Sequence, residues 1–171
     1  MLKEKIDLNA NLTAINFTKL NDDDKLKILD MRNDIRVAKY MFLDRKITKK
    51  EHFEFIKKLD STNNRIYFAI KNKKDELLGV ISLTNITNLS AYIGIYTNPN
   101  ATNGSLLMRC IKHIGFKKMG LKILFAQCLK NNHKALRFYE KEGFKEIKTL
   151  KNYIKKNNIF IDVVELVLNK E

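Results

Sequence analysis

The sequence has few of the residues that mark disulfide-rich or metal-binding proteins. Only two of its 171 residues are cysteine, Cys110 and Cys128, and their separation of 18 positions matches no zinc or redox motif. Both lie in apolar segments, so we expect buried, unpaired thiols. The three histidines, His52, His113 and His133, lack metal-ligand spacing. The sequence therefore predicts no metal site.

Proline, glycine and long apolar runs are also scarce. One proline and six glycines exclude collagen-like and low-complexity chains. No run approaches the ~18 apolar residues of a membrane-spanning helix, and the first residues lack the apolar core of a signal peptide. We therefore expect a cytoplasmic protein without a membrane partner. Its length predicts a single domain over residues 1–171, with a core at about 13–168.

Acidic residues are few relative to basic ones. Lys and Arg number 33 against 19 Asp and Glu, which gives a formal net charge of +14. This excess suits polyanionic ligands such as nucleotides and phosphorylated cofactors. However, the basic residues are mostly lysines mixed with Asn and Ile, a bias that genome composition also produces. The runs KITKK and KNKK are typical of solvated turns. We therefore expect no nucleic-acid partner.

Apolar residues make up 44% of the chain and recur in alternating and helical patterns. The predicted order is β, α, α, β, β, β, α, β, α, β, β. A strand–helix–strand unit in the middle implies a parallel crossover, and the hairpins around it are antiparallel. The sequence thus predicts a mixed α/β fold with a mostly antiparallel seven-stranded sheet and about four helices. The predicted strands cover residues 13–20, 65–71, 77–86, 89–98, 121–129, 144–150 and 159–168.

A helix predicted to begin at Gly104 and Ser105 follows the strand 89–98 and the turn NPNATNG. The first backbone N–H groups of a helix have no partner within the helix and carry the positive end of its dipole. Gly104 would also let a ligand approach the backbone closely. The segment therefore suits a phosphate or pyrophosphate. The alternative is an ordinary strand-to-helix turn with a glycine at the bend.

The segment NHKALRFYEKEGF, residues 132–144, carries the signals of a short capped helix. Asn132 can cap it through its side chain, and Ala135 and Tyr139 fall on one face. Gly143 provides a left-handed stop. Tyr139 is then either a core tyrosine or a hydroxyl placed beside a reacting atom.

These two segments together resemble the GCN5-related N-acetyltransferase (GNAT) superfamily. The pattern N-x-x-A-x-x-x-Y-x-x-x-G-F is matched by Asn132, Ala135, Tyr139, Gly143 and Phe144. The order of elements over residues 13–168 agrees as well, so the resemblance covers most of the chain.

The resemblance implies acetyl-CoA as co-substrate. The pyrophosphate would bind at the helix start near Gly104, and the pantetheine arm would enter between splayed strands 89–98 and 122–129. Tyr139 would act as general acid toward the departing thiolate, and backbone N–H groups of the splayed strand would polarise the thioester carbonyl. The implied cofactor-binding residues are Ile95, Tyr96, Asn103, Gly104, Ser105, Leu106, Asn132 and Arg137.

The pyrophosphate loop departs from the family pattern Gln/Arg-x-x-Gly-x-Gly/Ala. Pro99 stands at the basic position and Thr102 at the first glycine, so that only Gly104 matches. The backbone donors need no particular side chain and can survive this change.

A second resemblance lies in MRNDIRVAKYMFLDRKITKKEHFEFIKKL, residues 31–59. This segment is similar to the acetyltransferases that act on nucleotide-linked amino sugars. The resemblance implies that Arg32 and His52 face the nucleotide, where donors suit uracil oxygens and diphosphate. An apolar wall for the 6-deoxy end of the sugar would come from Tyr40, Met41 and Phe53. Alternatively, Arg32 pairs with a neighbouring aspartate, Asp30 or Asp34, and His52 is a solvated helix residue.

The general base has no obvious candidate. The acceptor ammonium must lose a proton before it attacks, yet strands 77–86 and 89–98 contain no Asp or Glu. Ser82 is the candidate, acting directly or through water, and a serine hydroxyl is better suited to relaying a proton than to holding one. The alternative is a polar residue that merely fills one side of a strand.

The resemblances imply transfer of acetyl to the 4-amino group of a UDP-linked 4-amino-4,6-dideoxy sugar, a step of pseudaminic acid biosynthesis for flagellin glycans. One alternative is acetylation of a protein N-terminus or a small amine, and another is a non-catalytic module that binds CoA or a nucleotide. The apolar strand 159–168 is interpreted as an exposed edge that can pair in a homodimer.

Overall fold

A computed structural model describes residues 5–9, 11–43, 45–101 and 103–170 of the chain. They form one mixed sheet of eight strands in the order β1-β2-β3-β4-β5-β6-β8-β7. Neighbouring strands are antiparallel except β5 and β6, which run parallel. The strands are β1 Ile6–Asn9, β2 Leu12–Asn16, β3 Arg65–Asn72, β4 Leu77–Thr84, β5 Ser90–Thr97, β6 Ile123–Leu129, β7 Lys145–Lys156 and β8 Ile159–Asn169.

The predicted fold class is therefore confirmed, but the strand count of seven is wrong. The additional strand is β1, a four-residue segment whose residues alternate between exposed and half-buried. It pairs with β2 from Ile6 opposite Ala14. Its sequence, IDLN, has too few apolar positions for a strand pattern to stand out.

The described residues form five α-helices beside the sheet: α1 Asp22–Asn33, α2 Ile35–Ala38, α3 Lys49–Leu59, α4 Gly104–Lys112 and α5 His133–Lys141. A π-helical turn, His113–Lys118, continues α4. The Asn21 side chain caps α1 by accepting from the Asp24 N–H at 2.8 Å. At the start of α3, Thr48 and Glu51 form the predicted capping box, with hydrogen bonds in both directions. Among the described residues, no helix is long and apolar enough to cross a membrane.

The two faces of the sheet carry separate apolar cores. One lies under α1 and α3 and includes Phe17, Ile28 and Ile56. The other lies under α4 and α5 and includes Leu107, Ile111 and many inward residues of the central strands. We call these the α1/α3 face and the α4/α5 face. Since side chains alternate along a strand, each strand contributes to both cores.

Both cysteines are buried and free, as the sequence predicts. Burial raises the pKa of each thiol, Cys110 and Cys128, to about 11, so both are protonated at neutral pH. They contribute small apolar side chains to the α4/α5 face.

The predicted edge position of strand 159–168 is wrong. This segment is β8, and it lies between β6 and β7, paired on both sides. The edges of the sheet are β1 and β7. The long strand β7 is rich in lysine, which disfavours edge-to-edge association. Because β8 is paired on both sides, it is not available as an edge for pairing in a homodimer.

Candidate active site

The central strands β5 and β6 separate half-way along their length. Their parallel ladder runs from Ser90 opposite Ile123 to Ile93 opposite Ala126. Beyond that point, among the described residues, β5 is paired with β4 alone and β6 with β8 alone. The predicted splay is therefore present. Along β5, alternate N–H and C=O groups of Gly94–Thr97 point into the gap without a strand partner on that side.

The start of α4 offers unsatisfied donors near this gap. Asn103 occupies the cap position but its side chain makes no capping hydrogen bond. Its Nδ2 is buried and has no hydrogen-bond partner within the described residues. A buried amide without a partner is costly in a folded protein. Together with the free N–H groups of Gly104, Ser105 and Leu106, it forms a site suited to an anion.

Gly104 brings α4 close to α5. A Cβ atom at Gly104 would lie 3.3 Å from a ring carbon of Phe138, so the two helices leave little room here for a larger side chain. Gly104 therefore has a packing role, and its role in the approach of a ligand remains a prediction. Thr102 lies outside the described residues. Arg36, which sequence reasoning missed, donates to the Asn100 side chain at 3.1 Å and braces the loop after Pro99.

The opening of α5 follows the predicted pattern. Asn132 caps the helix by accepting from the Ala135 N–H at 3.2 Å. Gly143 has φ +92°, the left-handed conformation predicted for the stop, and it lets the chain turn directly into Phe144 and β7.

Tyr139 is enclosed between apolar groups on the α4/α5 face. It is 8% exposed, and its ring lies 5.8 Å from that of Phe138 and 5.3 Å from that of Phe144, measured between centroids. Burial, and secondarily the nearby Cys128, raises the pKa of Tyr139. The hydroxyl therefore keeps its proton at neutral pH, as a general acid must. Its role as the acid remains a prediction.

Arg137 points away from Tyr139, on the opposite side of α5. It lines an open cavity of about 630 Å³ between α5 and the start of β7. The cavity is lined by His133, Leu136, Arg137, Glu140, Gly143, Phe144, Lys145, Glu146 and Leu166.

Ser82 lies beside the splay on the α1/α3 face. It pairs directly with Gly94 on β5, and a Cβ atom at Gly94 would lie only 2.4 Å from the Ser82 Oγ. Gly94 therefore leaves the space that the serine hydroxyl fills. On the other side Ser82 pairs with Tyr67, whose pKa is raised by burial and lowered in part by Arg65 and Ser82. Ser82 is itself buried, at 8% exposure.

Arg32 reaches the same face from α1. Its Nη2 donates to the Leu43 carbonyl at 2.9 Å, while its Nη1 is buried without a partner within the described residues. Burial lowers the pKa of Arg32, and the neighbouring Tyr96 on β5 opposes the shift. Within the described residues Arg32 forms neither alternative ion pair, with Asp30 or with Asp34, and Asp34 instead pairs with Arg36 at 2.7 Å. A guanidinium with an unused donor therefore lies against the splayed strand.

The other residues predicted to bind the substrate lie on separate parts of the chain, His52 and Phe53 on α3 and the remaining two after α2. His52 is buried and its Nε2 lies 2.9 Å from the Lys25 carbonyl, which joins α3 to α1. The alternative of a solvated His52 is therefore wrong, and burial lowers the pKa of its ring. Phe53 is half-buried on α3, and the ammonium groups of Lys25 and Lys49 lie over its ring.

Tyr40 and Met41 belong to the segment that follows α2. Tyr40 is 41% exposed. Lys156, at the end of β7, donates to the carbonyls of Lys39 at 2.9 Å and of Met41 at 2.8 Å. The segment is thus held against the end of β7.

Sequence reasoning missed a polar cluster on the α1/α3 face. Glu165 on β8 accepts hydrogen bonds from Tyr92 and Gln127. The signal was present, since Glu165 interrupts the apolar run VVELVL and a carboxylate in such a strand is rarely buried without a partner. The described residues contain no cluster of three or more His, Cys, Asp or Glu side chains able to hold a metal ion.

The family of the chain follows from comparison with known proteins. Residues 15–145 match the model of the acetyltransferase (GNAT) domain. The chain belongs to the GNAT acetyltransferase family. It is an acetyl-CoA-dependent N-acetyltransferase. The comparisons therefore do not support the alternative of a non-catalytic binding module.

Individual acetyltransferases are also similar to this chain in sequence and in structure. The acetyltransferase is 33% identical to acetyltransferase PseH of Campylobacter jejuni over 130 residues, which are 75% of this chain and 82% of that protein. The crystal structure of C. jejuni PseH in complex with acetyl coenzyme A superposes with a TM-score of 0.73 at 27% identity, covering 94% of this chain and 99% of that one.

Spermidine N-acetyltransferase of Vibrio cholerae, solved with CoA and spermine, has a TM-score of 0.83 at 22% identity over 94% of this chain and 96% of that one. At this identity the likeness concerns the fold alone.

Proposed function

We propose that this acetyltransferase transfers acetyl from acetyl-CoA to the 4-amino group of a UDP-linked 4-amino-4,6-dideoxy sugar, a step of pseudaminic acid biosynthesis. The observation that carries the proposal is the buried, unpartnered Nη1 of Arg32 beside β5. A guanidinium donor in this position requires an acceptor, and diphosphate or uracil oxygens supply one. The similarity to acetyltransferase PseH supports acetyl transfer, and the resemblance of residues 31–59 to acetyltransferases of nucleotide-linked amino sugars supports the substrate class.

The cofactor end of the site fits acetyl-CoA. The unpaired Asn103 amide and the free N–H groups at the start of α4 suit its pyrophosphate. The gap between β5 and β6, flanked by Ile95 and Tyr96, suits the pantetheine arm. Asn132 holds the start of α5 and thereby positions Tyr139. Arg137, on the outer side of α5, suits the more exposed adenosine phosphate end.

Tyr139 and Ser82 divide the proton transfers of the reaction. Tyr139 donates its proton to the thiolate as the C–S bond breaks, since its buried hydroxyl stays protonated. Ser82, on the other face, relays a proton away from the attacking amine. Backbone N–H groups along Gly94–Thr97 polarise the thioester carbonyl. Most of the rate enhancement then comes from positioning the amine against the thioester.

The residues that bind the acceptor are proposed from the chemistry of their side chains. Arg32 binds the nucleotide, and His52 contributes through its remaining ring nitrogen or by fixing α3 against α1. Tyr40, Met41 and Phe53 supply apolar surface for the 6-deoxy end of the sugar. Acetyl-CoA and UDP-sugars are both made in the cytoplasm, where we place the enzyme.

A polyamine acceptor is disfavoured by the basic residues on α1, on α3 and in the segment after α2. Lys25 and Lys49 lie over Phe53, and Lys39 lies over Tyr40. These ammonium groups and Arg32 would repel spermidine but attract a diphosphate.

Steady-state thiol release tests the proposed function. UDP-4-amino-4,6-dideoxy sugars of both C4 configurations would be compared with spermidine and with a peptide bearing a free N-terminus. We expect turnover with one sugar configuration and little with the other amines. Preference for spermidine or for the peptide would overturn the proposal.

A further inference from the structure

We propose that Glu165 is the general base of the acetyl transfer, the group that accepts the proton of the acceptor ammonium. This inference rests on the proposed function and deepens it. It answers a question that the strands next to the splay leave open, because β4 and β5 contain no carboxylate.

Glu165 lies beside the mouth of the gap. It is directly opposite Gln127 in the β6–β8 ladder, so the two side chains share a face. Gln127 is the first residue of β6 beyond Ala126, the last residue that pairs with β5. The carboxylate therefore stands at the level where β5 and β6 part, one strand away from the opening.

The face that Glu165 occupies is the α1/α3 face. Tyr92 donates to the Glu165 carboxylate at 3.0 Å, and Tyr92 is two residues before Gly94, which pairs with Ser82. The Arg32 guanidinium lies on this face as well, near Tyr96. The proposed proton acceptor is thus on the same side of the sheet as the proposed nucleotide-binding group.

Tyr139 lies on the opposite side. It belongs to the core of the α4/α5 face, with Cys128 and Phe144. A proton acceptor on one face and a proton donor on the other fit a reaction in the gap between them. The amine would approach from the α1/α3 face while the thiol departs toward Tyr139.

The hydrogen bonds of Glu165 leave one oxygen available. Both partners, the Tyr92 hydroxyl at 3.0 Å and the Gln127 Nε2 at 2.8 Å, donate to Oε2. Within the described residues Oε1 accepts no hydrogen bond. Stacking of Tyr92 on Phe125, with centroids 5.2 Å apart, fixes the phenol that holds Oε2. The carboxylate is therefore oriented through one oxygen and free to receive a proton through the other.

The charge of Glu165 is also available for an ammonium. The carboxylate is 9% exposed, yet no Lys or Arg of the described residues forms an ion pair with it. Lys148 is its register partner on β7, and the two form no salt bridge. A largely buried carboxylate without a cation attracts one strongly. A sugar ammonium at the gap provides that cation.

The ammonium passes a proton to Oε1, and the free amine forms a bond to the acetyl carbon while the C–S bond breaks. The thiolate takes the Tyr139 proton, and the second proton lost from nitrogen restores Tyr139 through water. Glu165 releases its proton to solvent, so that one proton leaves per turnover. Ser82 lines the route but does not hold the charge.

The test replaces Glu165 by glutamine, which keeps the size of the side chain and an oxygen that can accept from Tyr92. For Glu165→Gln we expect kcat/KM for the amine to fall by at least about 10²-fold, with acetyl-CoA affinity by calorimetry and the thermal midpoint unchanged. Glu165→Asp, which keeps a carboxylate, should recover part of the rate. Glu76→Gln is the control for loss of a carboxylate, because Glu76 is exposed in the turn between β3 and β4 and belongs to neither proposed binding site.

Each outcome decides between the two claims. The assay uses the UDP-amino sugars together with spermidine and a peptide, so Glu165 is tested on whichever amine the wild-type protein accepts. Activity on another amine with a defective Glu165→Gln overturns the sugar substrate and leaves the base intact. Turnover of Glu165→Gln within about threefold of wild type overturns the base alone. If Glu165→Gln and Glu165→Asp lose equal activity and both have a lower thermal midpoint, Glu165 has a structural role only. If the wild-type protein acetylates none of these amines, both claims are overturned.

Discussion

Replacing Tyr139 by phenylalanine removes one oxygen atom from the centre of the proposed site. The Tyr139 hydroxyl makes no hydrogen bond within the described residues, and the ring contacts with Phe138 and Phe144 would remain. We therefore expect the free energy of unfolding to change by less than about 0.5 kcal/mol, as for substitutions that break no specific contact. A loss of turnover in this variant can therefore be attributed to the missing hydroxyl and not to a loss of stability.

The expected loss is in turnover. General acid catalysis contributes about 10²–10⁴-fold. By the relation of tenfold per 1.36 kcal/mol, loss of the acid raises the barrier by about 2.7–5.4 kcal/mol. Burial keeps Tyr139 protonated by raising its pKa, so wild-type protein has the donor in place at neutral pH. Water can protonate the thiolate in part, which places the expected loss near the lower end of the range.

The assay is steady-state thiol release at saturating acetyl-CoA, combined with calorimetric binding of acetyl-CoA and a thermal midpoint. Tyr153→Phe is the matched control, since Tyr153 is 52% exposed on β7 and its hydroxyl is not part of the proposed site. Turnover of Tyr139→Phe within about threefold of wild type would refute the assignment of the acid. A parallel loss of acetyl-CoA affinity would assign Tyr139 to packing instead.

Three further predictions concern separate parts of the molecule. Gly94→Ala should destabilise the fold by about 1–3 kcal/mol in chemical denaturation, because its Cβ would lie 2.4 Å from the Ser82 Oγ. In a Ser82→Ala background most of this cost should vanish, and an equal cost in both backgrounds would contradict the packing argument. Arg45 and hydrogen bonds at the helix start lower the pKa of Glu51 to about 2, so its stabilisation is complete above the ordinary pKa and is lost as pH falls toward 2. Glu51→Gln, which keeps the capping box, should weaken the dependence of the thermal midpoint on pH between about pH 4.5 and 2. An unchanged pH dependence would exclude Glu51 as a source of acid sensitivity. Arg32→Ala should raise the apparent KM for the sugar nucleotide by about tenfold or more and spare that for acetyl-CoA, whereas an unaltered KM would remove Arg32 from the nucleotide site.

Local features were predictable because they depend on neighbouring residues. The capping box at Thr48 and the Asn132 cap each need only a few residues, and both are present. The left-handed Gly143 is of the same kind. The parallel crossover followed from the order of elements, since a helix between two strands implies it.

Long-range features were not predictable in the same way. The position of β8 inside the sheet depends on pairing with β6 and β7 at once, and an apolar run cannot distinguish a central strand from an edge. The strand β1 was missed because it is short and polar. The cluster of Glu165 with Tyr92 and Gln127 joins three strands, so only the register reveals it.

The substrate class remains the central claim, and a competition experiment tests it most directly. Equal concentrations of a UDP-4-amino-4,6-dideoxy sugar and spermidine would be incubated with limiting acetyl-CoA, and the acetylated products quantified by mass spectrometry. We predict that the acetyl group is recovered almost entirely on the sugar nucleotide, at its 4-amino nitrogen. Acetyl recovered mainly on spermidine would contradict the account.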